Sequence, residues 1–198
     1  MFDLGKVLVD FDYNIAGRRI ASLSNLSARE VQEVIDHSPL LFRFETGRIS
    51  APQFFEEVQT ATGFRGSFDE FCGFFADIFS LIEPMLSLYT ELRAASVPTH
   101  MFSNTNALAV GHIRQRFPFF THFNSHILSY KHSSMKPDAR LYEVVEKYSG
   151  LVGPEILYLD DRPENVAAGV ARGWKAVLHE SAEKSRGAVE SSGLLPRP

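Results

Sequence analysis

Cysteine is nearly absent: Cys72 stands alone among 198 residues. An internal disulfide is therefore excluded, which fits a reducing compartment and an expected cytoplasmic location. A surplus of positive charge is also missing. Lys and Arg number 20 against 24 Asp and Glu, a net charge of −4. That balance gives no electrostatic footprint for nucleic acid or an anionic membrane. No apolar run approaches the ~20 residues of a membrane span, and no cationic-then-apolar leader opens the chain. The seven histidines show no metal-ligand spacing, so His100, His122, His126 and His132 are expected at the surface or in packing.

Phenylalanine is abundant instead, at 17 residues, many of them between positions 42 and 124. These are expected to fill a helical core, with a dimer face as a second use, so the chain is expected to be a monomer or a homodimer. The length suffices for one sizeable core plus a small insertion.

The rhythm of the sequence divides it in two. Residues 14–80 read as helical. Ser27-Ala-Arg-Glu30, Ser50-Ala-Pro-Gln53 and Ser67-Phe-Asp-Glu70 each have a capping-box or helix-start pattern ahead of apolar residues at helical spacing. From residue 84 onward, helix and strand alternate. Strands are expected at 99–103, 125–129, 156–159 and 174–178, with helices between them and a frayed polar tail from about Glu180. Such alternation predicts a doubly wound, Rossmann-like parallel sheet covered by helices on both faces, an α/β fold. The core is expected from residues 1–13 and 81–198, with 14–80 inserted as a small helical cap.

Ligands in such sheets bind beyond the carboxyl ends of the strands. The polar residues of interest all fall there. Asp3 ends a very short first strand. Ser103 and Asn104 end the second, Lys136 lies in the loop after the third, and Asp160-Asp161 end the fourth. Three carboxylates, a hydroxyl and an ammonium thus converge on one crevice. Two adjacent acids closing a buried strand repel one another, which favours a cation beside them. Tyr13, Asn14, Phe44 and Glu45 are candidates to face a substrate from the cap, with Phe44 equally suited to the core.

The segments Phe2-Asp-Leu-Gly-Lys-Val7, Phe102-Ser-Asn-Thr-Asn106, Met135-Lys-Pro-Asp138 and Leu159-Asp-Asp-Arg-Pro-Glu-Asn165 together resemble the haloacid dehalogenase (HAD) superfamily. Within it they are most similar to bacterial sugar-phosphate phosphatases, including glucose-1-phosphate phosphatase. The resemblance implies a Mg2+-dependent phosphatase that hydrolyses a small phosphorylated metabolite, a sugar phosphate favoured, through an aspartyl-phosphate. It implies Asp3 as nucleophile and Asp3, Asp161, Asp160 and the Gly5 carbonyl around the metal. Asp160 would hold a metal-bound water or orient Lys136. Ser103, Asn104 and Lys136 would grip the phosphoryl group, and Asn165 would brace the metal shell. The family pattern usually has an acid–base Asp where this chain has Gly5, and the subgroup an Asn where it has Lys6. Lys6 either adds a cation near the phosphate or points to solvent. The alternatives are a metal-free dehalogenase with the same Asp nucleophile, and a feeble phosphometabolite-binding module.

Overall fold

The computed structural model describes residues 1–36 and 38–196. The chain forms β1 (Val9–Phe11), then five helices, α1 (Tyr13–Ala21), α2 (Ala28–Asp36), α3 (Pro39–Glu45), α4 (Ala51–Thr62) and α5 (Phe68–Ala76). Next come β2 (Phe79–Leu81), α6 (Glu83–Ala94), β3 (His100–Ser103), α7 (Ala107–Arg116), β4 (Ser125–Leu128), the short α8 (Ser129–His132) and α9 (Ala139–Ser149). The chain closes with β5 (Leu157–Asp160), α10 (Pro163–Ala171), β6 (Lys175–Leu178) and α11 (Ala182–Ser191).

The parallel pairs β3–β4 and β5–β6 are joined through the first three residues. Phe2 N–H donates to His100 O at 2.9 Å on one side, and Asp3 N–H donates to Leu159 O at 2.9 Å on the other. The spatial order is β4, β3, residues 1–3, β5, β6. Asp3 therefore leaves the middle of the sheet at its carboxyl edge. Strand residues alternate between faces, and each face has its own cover. Met101 and Leu159 pack with Met85, Leu88 and Leu92 of α6 and Ile113 of α7. Their neighbours Phe102 and Tyr158 face the other way, onto Leu141, Tyr142 and Val145 of α9 and onto Trp174.

Helices α1–α5 hold a separate apolar cluster in which Phe44, Phe54, Phe64, Phe71 and Phe75 pack among aliphatic side chains. Phe44 and Phe54 stack at 4.4 Å, and Phe75 meets Phe54 edge-on at 5.1 Å. Most of the phenylalanines of this block are thus consumed internally. The helix starts expected at Ser50 and Ser67 form as capping boxes, with Gln53 and Glu70 reaching back, and at Ser27, the expected capping box, Glu30 accepts from Ser27 N–H at 2.8 Å. A two-stranded antiparallel ribbon, β1 with β2, carries the chain out of the sheet and back. The helical block touches the sheet end of the molecule at Ser129, whose hydroxyl lies 2.7 Å from Glu45 O.

Asp138 caps α9, accepting from Arg140 N–H at 3.0 Å. One expectation is corrected: the tail from Glu180 is not frayed through its length. It folds as α11, capped by Ser181. Val189 and Ser185 are buried, and Arg186 reaches Glu91 of α6 at 2.6 Å. No helix among the described residues is long and apolar enough to cross a membrane.

Candidate active site

Four loops at the carboxyl edge of the sheet, together with the ribbon and the helical block, enclose a cleft of about 440 Å³. Asp3, Gly5, Ser103, Asn104, Lys136 and Asp161, all expected from the sequence, line it. Asp160 does not. It is fully buried directly behind the cleft.

The centre of the arrangement is Lys136, whose side chain is 1% exposed. Its Nζ lies 2.9 Å from Asp3 Oδ1, 2.6 Å from Asp160 Oδ2 and 2.9 Å from Phe102 O. Three donors on an ammonium meet three acceptors, so the group is fully satisfied. Asp160 is just as fully occupied. One oxygen takes Lys136 and the Tyr158 hydroxyl, and the other takes Arg162 N–H and Asn165 Nδ2, both at 2.9 Å. Of the two roles left open for Asp160, this geometry favours orienting Lys136. Asn165 correspondingly braces Asp160.

The charges do not balance. Burial pushes Asp3 up to about 7; Lys136 opposes that and the charge on Asp160 adds to it. Burial is the largest single influence on Asp160 and works to raise it, but Lys136, with the Tyr158 hydroxyl and the Arg162 N–H, outweighs it and the carboxyl sits below its ordinary value. Asp161 is raised, by burial first and by Asp160 next. One ammonium therefore serves three carboxylates and is held chiefly by one. Carboxylate oxygens of Asp3, Asp160 and Asp161 lie within 4.8 Å of one another. An all-oxygen donor set short of two positive charges fits a hard divalent cation such as Mg2+. Asp3 and Asp161 are the two carboxyls held above their ordinary value, and both line the cleft where such a cation would sit.

Asn104 serves differently from expectation. Its side chain clamps the Lys136 backbone, accepting from Lys136 N–H at 2.7 Å and donating to Lys136 O at 3.0 Å. It sets the loop that presents the lysine. Ser103 is 2% exposed, with its hydroxyl 3.2 Å from Asn104 O. Lys6 pairs with Asp10 and donates to Phe11 O at 2.9 Å, its Nζ resting 4.7 Å over the Phe11 ring. Among the cap candidates, Tyr13 and Glu45 line the cleft, Phe44 is core, and Asn14 bonds Asp12 at the start of α1.

Asn106 was not singled out by the sequence. Its Oδ1 caps α7 through Ala109 N–H at 3.0 Å, while its Nδ2, at 1% residue exposure, has no partner among the described residues. A buried donor without a partner in a cleft wall is costly unless a ligand takes it. The only signal available beforehand was a polar residue two beyond Asn104, which reads as an ordinary helix cap.

The Gly5 position is explained by Phe11. A Cβ on Gly5 would sit 2.8 Å from Phe11 Cε1. That ring is held edge-on to Tyr13 at 5.4 Å and against Phe79 at 6.1 Å, so it cannot swing aside freely. The space in which a carboxylate at this position would begin is taken by an aromatic edge. Gly5→Asp is therefore expected to cost about 1–3 kcal/mol of stability by overpacking and not to raise activity. Denaturant titration of Gly5→Asp, Phe11→Ala and the double variant checks this. The double variant should be more stable than the sum of the singles by at least ~1 kcal/mol. Strict additivity would show that the ring is not the obstacle.

No family model matches the chain. It is similar to a sesquiterpene phosphatase of Aspergillus oryzae, 28% identical over 176 residues, 87% of this chain and 85% of that protein. It is similar to a D-ribitol-5-phosphate phosphatase of Bacteroides thetaiotaomicron, 22% identical over 91% of each chain. Among solved structures, a HAD family enzyme from Bacteroides thetaiotaomicron in complex with magnesium and inorganic phosphate superposes with a TM-score of 0.80. That match is 20% identical and covers 89% of this chain and 91% of that one. The chain thus has the fold of haloacid dehalogenase (HAD) family enzymes, and along nearly its whole length it is similar to phosphatases.

Proposed function

We propose that the chain is a Mg2+-dependent phosphatase of small phosphate monoesters, working through an aspartyl-phosphate on Asp3. The buried Asp3–Lys136–Asp160 cluster, with Asp3 and Lys136 in the cleft wall and Asp160 behind them, carries this reading. The comparisons support the reaction class and leave the alcohol open: the two curated relatives are named for a sesquiterpene and for a sugar-alcohol phosphate. The cap in this reading is the helical block 14–80.

Asp3 attacks phosphorus with a carboxylate oxygen, the bond from phosphorus to the ester oxygen breaks, and the alkoxide takes a proton from water. Water then attacks phosphorus of the aspartyl-phosphate, releasing phosphate and free Asp3. Lys136 exchanges its bond to Asp3 for a phosphoryl oxygen and neutralises charge there. Ser103, the Asn104 N–H and Asn106 Nδ2 orient the phosphoryl group. The Asp3 and Asp161 carboxylates and the Gly5 carbonyl would hold Mg2+, which supplies charge shielding between the two anions. A metal-free dehalogenase gives no reason for Asp161 to stand beside Asp160 at the cleft.

The reading is tested by phosphate release from p-nitrophenyl phosphate with Mg2+ and with chelator. Turnover only with metal is expected; equal rates in both, or none in either, would overturn it.

Metal binding should also depend on pH. The folded pKa of Asp3 lies above its unfolded value, so in the metal-free protein Asp3 is partly protonated near pH 7. Coordination needs the carboxylate, so metal binding releases that proton. Apparent Mg2+ affinity is expected to rise about tenfold per pH unit below 7 and to level off above it. Asp161→Ala should weaken affinity at every pH while keeping that slope. Calorimetry at pH 6, 7 and 8 reads both effects, and a flat profile in the wild type would contradict the placement of Asp3 in the metal site.

A further inference from the structure

We propose that the alcohol released by this enzyme is hydrophobic, an aliphatic or aromatic alcohol rather than a polyol. The inference rests on the phosphatase reading and concerns the wall of the same cleft away from the phosphate loops. That wall is built by three elements. The ribbon supplies Phe11 and Phe79, the cap supplies Tyr13 and Leu41, and α7 supplies Ala109 and Ile113.

Three of these six side chains are aromatic, and Phe11, Tyr13, Phe79 and Leu41 are only partly covered by protein. Phe11 contacts both Tyr13 and Phe79, so the rings form one continuous face. Partly covered rings beside a charged site leave apolar surface in water until a ligand covers them.

The polar groups at this end are mostly engaged elsewhere. Lys6 is tied to Asp10 and to Phe11 O. Arg162 pairs with Glu164 at 2.6 Å. Glu45 and Tyr13 are the polar side chains that the helices α1 and α3 bring to the cleft lining. A polyol entering here would give up several hydrogen bonds to water with few replacements, whereas a hydrocarbon loses nothing and covers the rings. The cleft volume, about 440 Å³, lies in the ordinary range for small-molecule sites.

Phosphonates test this without turnover, because their carbon–phosphorus bond is not an ester. Methyl-, propyl- and hexylphosphonate, and a hexylphosphonate carrying four hydroxyls, are titrated into the Mg2+-loaded wild-type protein by calorimetry. Affinity should rise by up to about fourfold per methylene, the equivalent of ~0.8 kcal/mol. Hexylphosphonate should bind at least ~50-fold more tightly than methylphosphonate on that scale. The hydroxylated chain should gain less than about fivefold over methyl, because its hydroxyls would be desolvated. Leu41→Gln should flatten the methylene slope, with methylphosphonate as the internal reference.

Methylphosphonate binding with no dependence on chain length, or a hydroxylated chain that binds more tightly than the plain one, would overturn the hydrophobic-alcohol inference and leave the phosphatase reading standing. Failure of methylphosphonate and orthophosphate to bind at all would remove both.

Discussion

Asp3→Asn is expected to lower turnover by at least about 10⁴-fold and to leave the fold standing. An amide oxygen is a poor nucleophile toward phosphorus and forms no stable phosphorylated intermediate. The side chain keeps its shape, so the oxygen that accepts from Leu4 N–H at 2.7 Å can still do so. The stability argument has a sign that can be checked. Burial raises the Asp3 carboxyl to about 7 in the folded protein, against an ordinary value of 3.8. The stability linked to its protonation is fully present below the unfolded value and is lost as pH rises through about 7. At pH 8 without metal the wild type therefore carries a buried carboxylate that costs it stability, and the asparagine does not. The variant should melt no lower than the wild type at pH 8 without metal, and relatively lower at pH 5. Adding Mg2+ should reverse the order at pH 8, because ligand binding stabilises only a protein that can bind it. Phosphate release and thermal melts at two pH values, with and without metal, read all of this. Residual activity within tenfold of wild type would mean that another group attacks phosphorus.

Much of this site was legible because the fold puts sequence motifs in one place. A parallel sheet sends every βα loop to the same edge, so Asp3, Ser103, Lys136 and Asp161 needed only correct strand ends to be brought together. Hydrogen-bond allocation is another matter. The resemblance gives Asn104 a grip on the phosphoryl group, yet its side chain is taken by the Lys136 backbone; for Asp160 it leaves two roles open, and the pairing with Lys136 is the one that forms. Nothing in a dipeptide shows which of its polar atoms will be occupied. The Phe11 ring against Gly5 was hidden for a related reason. The contact depends on how the β1–β2 ribbon turns, and β2 arrives only after the whole helical block. Helix α11 was missed because its apolar content is slight. It is held by Val189 and by the Arg186–Glu91 pair, which spans 95 residues of chain. Local composition there reads as tail, and only the distant α6 makes it a helix worth forming.

Lys136→Met should have the second large effect, this time on stability as well as rate. Methionine fills a similar volume, so packing against Phe102 and Tyr158 is largely kept, and what is removed is the charge. Asp160, fully buried, keeps Tyr158, Asn165 and the Arg162 N–H but loses its cation. Removing one partner of a buried pair typically costs about 3–5 kcal/mol, because a desolvated charge is left behind. In a chain of this size that corresponds to a melting temperature lower by roughly 6–20 °C. The pH dependence distinguishes this cause from simple misfit. In the wild type, Lys136 holds the Asp160 carboxyl below its ordinary value, so its contribution to stability is present above the unfolded pKa and lost as pH falls through the folded one. Without the lysine, burial is opposed only by neutral donors, and the carboxyl should move up and take a proton. The gap between wild type and variant should be widest at neutral pH and should shrink toward pH 4. A gap constant across that range would point to packing, not charge. Turnover should fall about 10²–10³-fold, the usual loss when one preorganised charge on a transferring group is removed. A full rate with a lowered melting temperature would show that Lys136 holds the carboxylates in place and takes no part in stabilising the phosphoryl group.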